Sequence, residues 1–370
     1  MSLIFKRFIE IIFILLPLSI ASGPFLADLS VTIIAIFFII ISFIKKEFKY
    51  FKNKIFLIIF IFWIYCFLNS LISENIFLSL ESSLFYGRFI FFAVGISYIL
   101  ENNKINLKYF SISLVVSLSL IAIDAFIQGF FGTNILGFER PANDRVSGIF
   151  GEELILGSYL ARLFPMSFLI LPFLNTKNFD KFFLKNIIII IFISLIGSAV
   201  FISGERTAFG IFCINLVLLL IFVIKNKSTK FFSIALIFMT IFLISFIKFD
   251  TYKRMIWLTI QSSYEEGYKM HDRLYIFSQK YESHYDVSLQ MFLEKKIFGH
   301  GPKMFREVCK NYDEYGCSTH SHNTYMQLLA ETGIIGTSII SIIFCLVIYY
   351  MIYTYLIKTH EHNENKKINK

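Results

Sequence analysis

The chain has 370 residues, of which 56% are hydrophobic and only 16% are charged, and its mean hydropathy is +0.68. Soluble globular proteins have about 45–50% apolar and about 25% charged residues. This composition excludes an ordinary soluble enzyme and indicates an integral membrane protein. The formal net charge is +9, so the position of each cation along the chain becomes informative.

Ten apolar runs follow one another along the chain, each close to the roughly 20 residues that a helix needs to cross about 30 Å of hydrocarbon. Backbone in lipid must satisfy its own hydrogen bonds, so these runs are predicted to be helices. We therefore predict an all-α polytopic membrane protein with about ten transmembrane helices and a helical extracytoplasmic loop before the last span. The runs are 8–22, 25–44, 55–72, 83–100, 109–130, 154–174, 186–203, 207–224, 231–247 and 334–357.

The predicted domain organisation follows from these runs. Residues 1–247 are predicted to form a membrane domain of nine spans with an outer loop at 131–153. Residues 248–333 form an extracytoplasmic loop that is too long to be structureless in a compact protein. The last span at 334–357 then leads into a polar cytoplasmic tail at 358–370.

The long loop itself has three recognisable parts. Apolar residues at three- and four-residue spacing within 273–296 predict an amphipathic helix. A glycine-rich turn follows at 297–305, and the segment 321–333 begins a short helix. Asn323 is the expected N-cap of that helix and Gly333 the expected residue just after its end.

The distribution of cations predicts the topology. Eighteen lysines and one arginine fall in the segments expected inside, and the alternate short connections contain few cations, so both termini are predicted to be cytoplasmic. Arginines elsewhere suggest recognition of phosphate by a planar guanidinium. They could equally be residues that simply escape the preference for cations inside. These arginines are Arg88, Arg140, Arg145, Arg162, Arg206, Arg254, Arg273 and Arg306.

Cysteine usage contains one informative pair. Three cysteines lie in predicted spans, where they are interpreted as small packing residues. Cys309 and Cys317 share the outer loop, and an oxidising compartment would permit a disulfide between them. The sequence leaves open whether that disulfide forms, and no cysteine spacing resembles a zinc site.

His322 is the first candidate for chemistry. If Asn323 caps a helix, His322 lies at the helix N-terminus, where positive potential attracts an anion such as a diphosphate. The same potential disfavours imidazolium, which leaves the ring available as a base. The alternative is a loop histidine whose ring is hydrogen-bonded to backbone.

Four segments, in order, resemble motifs of the O-antigen ligase and polymerase superfamily. SHNTYMQLLAETGIIG at 321–336 resembles the family's His-Asn-x-Tyr block, RVSGIFGEELILGSYL at 145–160 its Arg-x-Ser-Gly segment, and SGERTAFG at 203–210 its Arg-containing turn between spans. Arg273 followed by 297–305 is similar to the family's arginine-led helix and Phe-Gly-x-Gly-Pro turn. Glu205 replaces the family's usual small residue, which leaves the subfamily open.

The resemblance implies a transferase that takes a glycan from undecaprenyl diphosphate on the periplasmic face of the bacterial inner membrane. Ligases pass the glycan to lipid A–core, and polymerases pass it to another carrier-linked repeat. The implied partners are the carrier-linked glycan, lipid A–core or another glycan acceptor, and membrane lipids, but not nucleic acid. Neither a cofactor nor a metal is implied, and direct attack would invert the anomeric carbon.

The resemblance also implies roles for individual residues. His322 corresponds to the base that activates the acceptor hydroxyl, with the neighbouring His320 as the alternative. Arg206 and Arg273 correspond to the diphosphate-binding residues, and Arg145 is a weaker third.

Arg206 lies in the three-residue connection 204–206, at the depth of lipid headgroups. The alternative is an interfacial arginine paired with Glu205. Arg88 and Arg162 fall inside predicted spans, where charges usually face a polar cavity.

These two arginines, with His320 and Asn323, are candidates for lining the lipid-diphosphate groove. Pairing with Asp124 or with Glu152 and Glu153 is an equally good explanation for Arg88 and Arg162.

Two other functions remain open from the sequence. A repeat-unit polymerase would use the same residues as a ligase and differ only in its acceptor. A transporter for a polyprenyl-linked sugar would use the arginines along a path, but no internal repeat of the kind common in transporters is present. A structural membrane protein would leave the His-Asn block unexplained.

Overall fold

The computed structural model describes residues 3–174, 179–257, 279–313 and 315–368. Within these ranges the regular structure is helical, and only isolated β-bridges occur between loop residues. The predicted all-α class is therefore confirmed. The thirteen α-helices of the described ranges are α1 (Leu3–Ala21), α2 (Pro24–Lys45), α3 (Lys54–Ser70), α4 (Ile76–Asn102), α5 (Ile105–Phe131), α6 (Leu156–Ser167), α7 (Phe179–Ile202), α8 (Arg206–Phe222), α9 (Lys227–Ile247), α10 (Phe249–Tyr252), α11 (Gln279–Glu294), α12 (Phe305–Val308) and α13 (Thr324–Ile368).

Seven helical segments of the described chain are long and apolar enough to cross a membrane, which confirms a polytopic protein. They belong to α2, α4, α5, α6 with its 3-10 extension to Leu174, α7, α9 and α13. The other three predicted spans are also helical. However, α3 and α8 have 17 residues each, which gives about 25 Å, and α1 carries Lys6, Arg7 and Glu10.

The chain divides into two compact units. Unit 1 comprises residues 1–34 and 96–265, and unit 2 comprises residues 35–95 and 266–370. The boundaries predicted at 247 and 333 concern membrane topology, and they stay predictions.

In unit 1, one glutamine of α5 organises the outer loop predicted at 131–153. The side chain of Gln128 is completely buried. Its Oε1 accepts hydrogen bonds from the backbone N–H of Ser147 at 2.9 Å and of Gly148 at 2.7 Å. Its Nε2 donates to the carbonyls of Phe138 and Glu139, both at 3.2 Å. The loop therefore takes its shape from a side chain of the helix that precedes it.

In unit 2, α11 is amphipathic, as predicted for part of 273–296. Its buried residues His284, Val287, Ser288 and Met291 recur at three- and four-residue spacing, which places them on one helix face. That face contributes to a small hydrophobic core beside α12 and the start of α13. The core consists of Val287, Met291, Met304, Phe305, Val308, Cys309 and Ala330.

Helix α13 is interrupted at Gly333, as predicted for the end of the short helix. Gly333 has φ 61° and ψ −166°, a conformation that is essentially restricted to glycine. A β-carbon there would lie 2.4 Å from the carbonyl oxygen of Ile297. The carbonyl of Glu331 accepts a hydrogen bond from the N–H of Gly301 at 2.8 Å, and Ile334 N–H donates to Lys296 O at 2.9 Å. The break thus allows the glycine-rich turn to pack directly on the backbone of α13.

Two polar residues of α3 complete this arrangement in unit 2. Asn69 Nδ2 donates to the carbonyl oxygens of Phe298 at 2.8 Å and of Glu331 at 3.3 Å. Tyr65 Oη donates to the carbonyl oxygen of Thr332 at 2.6 Å. Carbonyls that lose their helical partners near Gly333 are thereby satisfied by side chains.

We expect Gln128→Leu to destabilise the protein by about 1–3 kcal/mol, because the buried N–H groups of Ser147 and Gly148 lose their acceptor. The measurement is the apparent melting temperature of purified protein in detergent. Gln290→Leu on the exposed face of α11 is the control and should change stability by less than about 0.5 kcal/mol. Equal melting temperatures for both variants would contradict the role of Gln128.

We expect Gly333→Ala to cost about 2 kcal/mol or more, because the new β-carbon meets backbone and the φ angle becomes strained. Thermal unfolding in detergent measures this change. Gly210→Ala is the control, since nothing lies within 4 Å of a β-carbon there. If the two alanine variants unfold at the same temperature, the close packing at Gly333 does not stabilise the fold.

Candidate functional site

His322 immediately precedes the helix that Asn323 caps. Asn323 Oδ1 accepts hydrogen bonds from the backbone N–H of Tyr325 at 3.0 Å and of Met326 at 3.3 Å, which confirms the predicted N-cap. His322 is exposed and has φ 54°, a left-handed conformation that is uncommon outside glycine, although histidine is among the residues enriched there. The backbone therefore presents the imidazole at the start of a helix.

Three aromatic rings surround the imidazole of His322 in unit 2. The ring centroids of His320, His284 and Tyr281 lie 4.1, 4.9 and 5.6 Å from that of His322. His320 is exposed, whereas His284 is completely buried. Nowhere in the described ranges are three or more His, Cys, Asp or Glu side chains arranged to hold a metal ion. His320 was among the residues predicted from the sequence, whereas His284 was not, because its only signal was its place on the buried face of a predicted helix.

A short loop between α12 and α13 closes one side of this ring cluster. Cys309 and Cys317 are joined by a disulfide, which answers the question left open by the sequence. Asp313 accepts hydrogen bonds from Ser283 Oγ at 2.7 Å and from the N–H of Gly316 at 3.1 Å. The bond from Ser283 lowers the pKa of the Asp313 carboxyl. A carboxyl whose pKa is lower in the folded state stabilises the fold at pH values above its unfolded pKa. This stabilisation is lost as the pH falls through the folded pKa, in the acid range.

Unit 1 contains a group of arginines around the turn at Gly204. Arg254 Nε donates to the carbonyl oxygen of Gly204 at 2.8 Å, and its Nη1 lies 3.0 Å from Asp144 Oδ2. A β-carbon at Gly204 would lie 3.1 Å from Arg254 Cδ and 3.4 Å from Arg145 Cγ. Arg206 follows two residues later. We call Arg145, Arg206 and Arg254 the arginine group; the sequence predicted the first two as diphosphate-binding residues and placed Arg254 only among the arginines outside the inner segments.

Arg206 is the first residue of α8, so the connection between α7 and α8 is 203–205 rather than the predicted 204–206. The helix begins one residue before the hydrophobic run because hydropathy marks the apolar segment and not the residue at which helical hydrogen bonding begins. The side chain of Arg206 therefore extends from a helix N-terminus, where the helix dipole adds positive potential.

Glu205 has a structural role that the sequence did not reveal. Its Oε1 accepts from the N–H of Gly157 at 2.6 Å, and its Oε2 accepts from the N–H and the hydroxyl of Ser158 at 3.1 and 2.6 Å. These are the first residues of α6, whose own cap residue Ile155 supplies no side-chain hydrogen bond. The carboxylate caps α6, and the positive end of that helix stabilises its negative charge.

The remaining predicted arginines have separate surroundings. Arg273 lies outside the described residues. Arg162 is exposed on α6 in unit 1. In unit 2, the guanidinium of Arg88 lies over the rings of Phe89 and Phe85, 5.0 and 5.9 Å from their centroids, which is the geometry of a cation–π contact.

Asp124, one of the partners considered for these arginines, holds the outer loop of unit 1. Its Oδ1 accepts from the N–H of Ile135 at 2.9 Å, and its Oδ2 accepts from Asn134 Nδ2 at 3.1 Å.

The predicted site residues divide between the units. Unit 1 holds Arg145, Arg162 and Arg206, and unit 2 holds Arg88, His320, His322 and Asn323.

Comparison with known proteins gives one result. Residues 189–341 match the family model described as O-antigen ligase, a segment that includes Arg206, Arg273 and His322 but not Arg145. No curated protein and no solved structure matches the chain. The match supports a function of the O-antigen ligase or polymerase type, in a protein that the helices place in a membrane. The resemblance read from the motifs is confirmed over residues 189–341, which match this family model.

Proposed function

We propose that this protein transfers a glycan from undecaprenyl diphosphate to lipid A–core at the periplasmic face of the bacterial inner membrane. The observation that carries the proposal is the exposed imidazole of His322, held at an Asn-capped helix start inside the matched domain. The positive end of a helix dipole suits an anionic substrate. An exposed imidazole there can accept a proton from an incoming hydroxyl.

The proposed reaction is a direct displacement. His322 removes the proton of the acceptor hydroxyl while its oxygen forms a bond to the anomeric carbon. The bond from that carbon to the diphosphate oxygen breaks, and its electron pair leaves with the diphosphate. One displacement inverts the anomeric carbon, and general base catalysis of this kind typically contributes about 10²–10⁴-fold.

The arginine group is proposed to bind the diphosphate. Guanidinium groups bind phosphate oxygens through two parallel hydrogen bonds, and they stabilise charge that develops on a departing diphosphate. Arg206 is proposed as the principal residue, because the N-terminus of α8 adds to its positive potential. Arg145 and Arg254 flank the same turn, and Arg273 keeps the role implied by the family motif.

The choice of acceptor separates the ligase from the polymerase. Deletion of the protein followed by gel analysis of surface polysaccharide distinguishes them. Carrier-linked chains that are never attached to lipid A–core indicate a ligase, and single attached repeats indicate a polymerase. Loss of attached chains with carrier-linked glycan retained on the cytoplasmic side would favour a transporter.

We expect His322→Ala to abolish glycan transfer without loss of membrane insertion, because the acceptor hydroxyl loses its base. Purified protein in lipid nanodiscs would receive carrier-linked glycan and acceptor, and product would be measured over time. His320→Ala is measured in parallel, since its ring is only 4.1 Å away, and it should retain more activity. Full transfer by His322→Ala would end the proposed role.

We expect Arg206→Lys to lose most transfer activity, about tenfold or more, because an ammonium cannot form the paired hydrogen bonds of a guanidinium. The same assay at saturating acceptor measures the change. Arg306→Lys, an exposed position in unit 2, is the control for the substitution itself. Similar rates for both lysine variants would show that the guanidinium of Arg206 is not required.

A further inference from the structure

The buried histidine of α11 has one ring nitrogen in use. His284 Nδ1 lies 2.8 Å from the carbonyl oxygen of Gly316. Because a carbonyl oxygen only accepts, Nδ1 carries a proton, and in the neutral ring Nε2 then has a free lone pair. Within the described chain, Nε2 is buried and has no hydrogen-bond partner. Buried polar atoms without partners are rare enough to require an explanation.

The nearest imidazole with an exposed edge is that of His322. The two ring centroids are 4.9 Å apart and the ring planes differ by 38°. That separation equals roughly one hydrogen bond of about 2.9 Å plus the radii of the two rings. Catalytic hydrogen bonds are often long or misaligned before substrate binds and shorten in the complex. The bond requires only that the exposed ring turn so that one of its nitrogens faces His284 Nε2.

We propose that His284 is a positioning residue for His322, accepting a hydrogen bond from the His322 ring through its Nε2. This inference rests on the proposed function of His322 as the base. A histidine acts as a base at one nitrogen while its other nitrogen carries a hydrogen. Donation of that N–H to His284 fixes which nitrogen faces the acceptor hydroxyl.

The same bond strengthens during the reaction. The acceptor proton moves to the free nitrogen of His322, and the ring becomes imidazolium. Its other N–H then donates from a charged group, and such hydrogen bonds are roughly twice as strong as neutral ones. His284 itself neither gains nor loses a proton, since Nδ1–H remains bonded to Gly316.

The surroundings of His284 fix its ring before substrate arrives. A β-carbon at Gly316 would lie 2.6 Å from Ser283 Oγ and 2.7 Å from Ser283 O, so this loop packs directly on α11. Asp313 and the Cys309–Cys317 disulfide hold the same loop. The carbonyl that orients His284 is therefore immobilised by three separate contacts.

His320 is less suited to the same role, although its ring is nearer. It is exposed, and its Nδ1 already lies 2.9 Å from the hydroxyl of Thr319. An exposed ring exchanges hydrogen bonds with water, so it cannot impose one orientation on its neighbour. Tyr281, also beside His322, can donate but is itself exposed.

Two substitutions separate the nitrogens of His284. The amide nitrogen in His284→Asn can occupy the place of Nδ1, which keeps the bond to Gly316 and removes the acceptor. The amide oxygen in His284→Gln can occupy the place of Nε2, which keeps the acceptor and removes the bond to Gly316. If His284 were only structural, His284→Asn would be the more active variant. If His284 accepts a hydrogen bond from His322, His284→Gln is the more active variant.

Transfer would be measured with full-length protein in nanodiscs, carrier-linked glycan and acceptor. We expect kcat to fall about 10- to 100-fold in His284→Asn, the effect of losing a hydrogen bond to a charged group, with KM for the carrier little changed. His284→Gln should retain at least several times more kcat. Equal kcat in the two variants, or more in His284→Asn, overturns the proposal.

The pH dependence of His284→Asn gives a second measurement that does not depend on the folding of His284→Gln. Without the acceptor the imidazolium of His322 loses stabilisation and gives up its proton more readily. The acidic limb of kcat against pH should therefore move to lower pH by about one unit. His320 and Tyr281 also face His322, so His320→Ala is profiled alongside. An unmoved acidic limb in His284→Asn also overturns the proposal.

His322→Ala separates failure of this inference from failure of the proposed function. If His322→Ala still transfers glycan, the proposed base is wrong and His284 has nothing to position. If His322→Ala is inactive, the double variant with His284→Asn should show no further loss. The two residues act together in the same step, so their effects do not add. Loss of transfer in His322→Ala with normal kcat in His284→Asn overturns only the role of His284.

Discussion

Backbone groups that lose their partners where a helix ends or breaks must find new ones, and inside a membrane water is not available to supply them. In this protein the new partners are side chains far away in the sequence. Glu205 supplies them for the start of α6, and Gln128 supplies them for the loop after α5. Asn69 does the same for the carbonyls of Phe298 and Glu331. Each of these contacts fixes a piece of irregular chain whose shape helix packing alone would not determine.

The same constraint explains where the candidate functional residues lie. Arg206 follows the residue that caps α6 and opens α8, so the two helix starts and the guanidinium share one turn. His322 precedes the Asn323 cap, with its backbone in a left-handed conformation. Helix starts leave N–H groups without partners, and those groups favour anions. The diphosphate-binding surface that we propose would thus arise from features that the membrane fold already requires.

Local patterns in the sequence predicted part of this structure well. Apolar runs located the long helices, the three- and four-residue spacing located α11, and the Asn323 cap and Gly333 break were both identified. Each of these features depends on residues within a few positions of one another. The resemblance to the O-antigen ligases was readable for the same reason, because the family motifs are short and continuous.

Contacts between distant segments could not be predicted from the sequence. Glu205 caps a helix that begins 49 positions earlier, whereas the sequence presented it only as a departure from a motif and as a neighbour with which Arg206 could pair. The side chains of Arg254 and Arg145 both lie beside Gly204, although no local sequence pattern connects these two residues. His284 looked like one more residue on the inner face of an amphipathic helix. In each case the role is set by packing, which leaves no periodic signal in the chain.

The break at Gly333 has a consequence for how the imidazole is aimed. Between Asn323 and Gly333 lies a rigid spacer of two and a half helical turns, clamped at its far end by the glycine-rich turn. Each residue of an α-helix advances the chain by about 100° around the axis. Lengthening or shortening this spacer by one residue would swing His322 about a quarter-turn away from His284, even with every side chain unchanged. The number of residues in the spacer is thus as much a part of the site as the histidine itself.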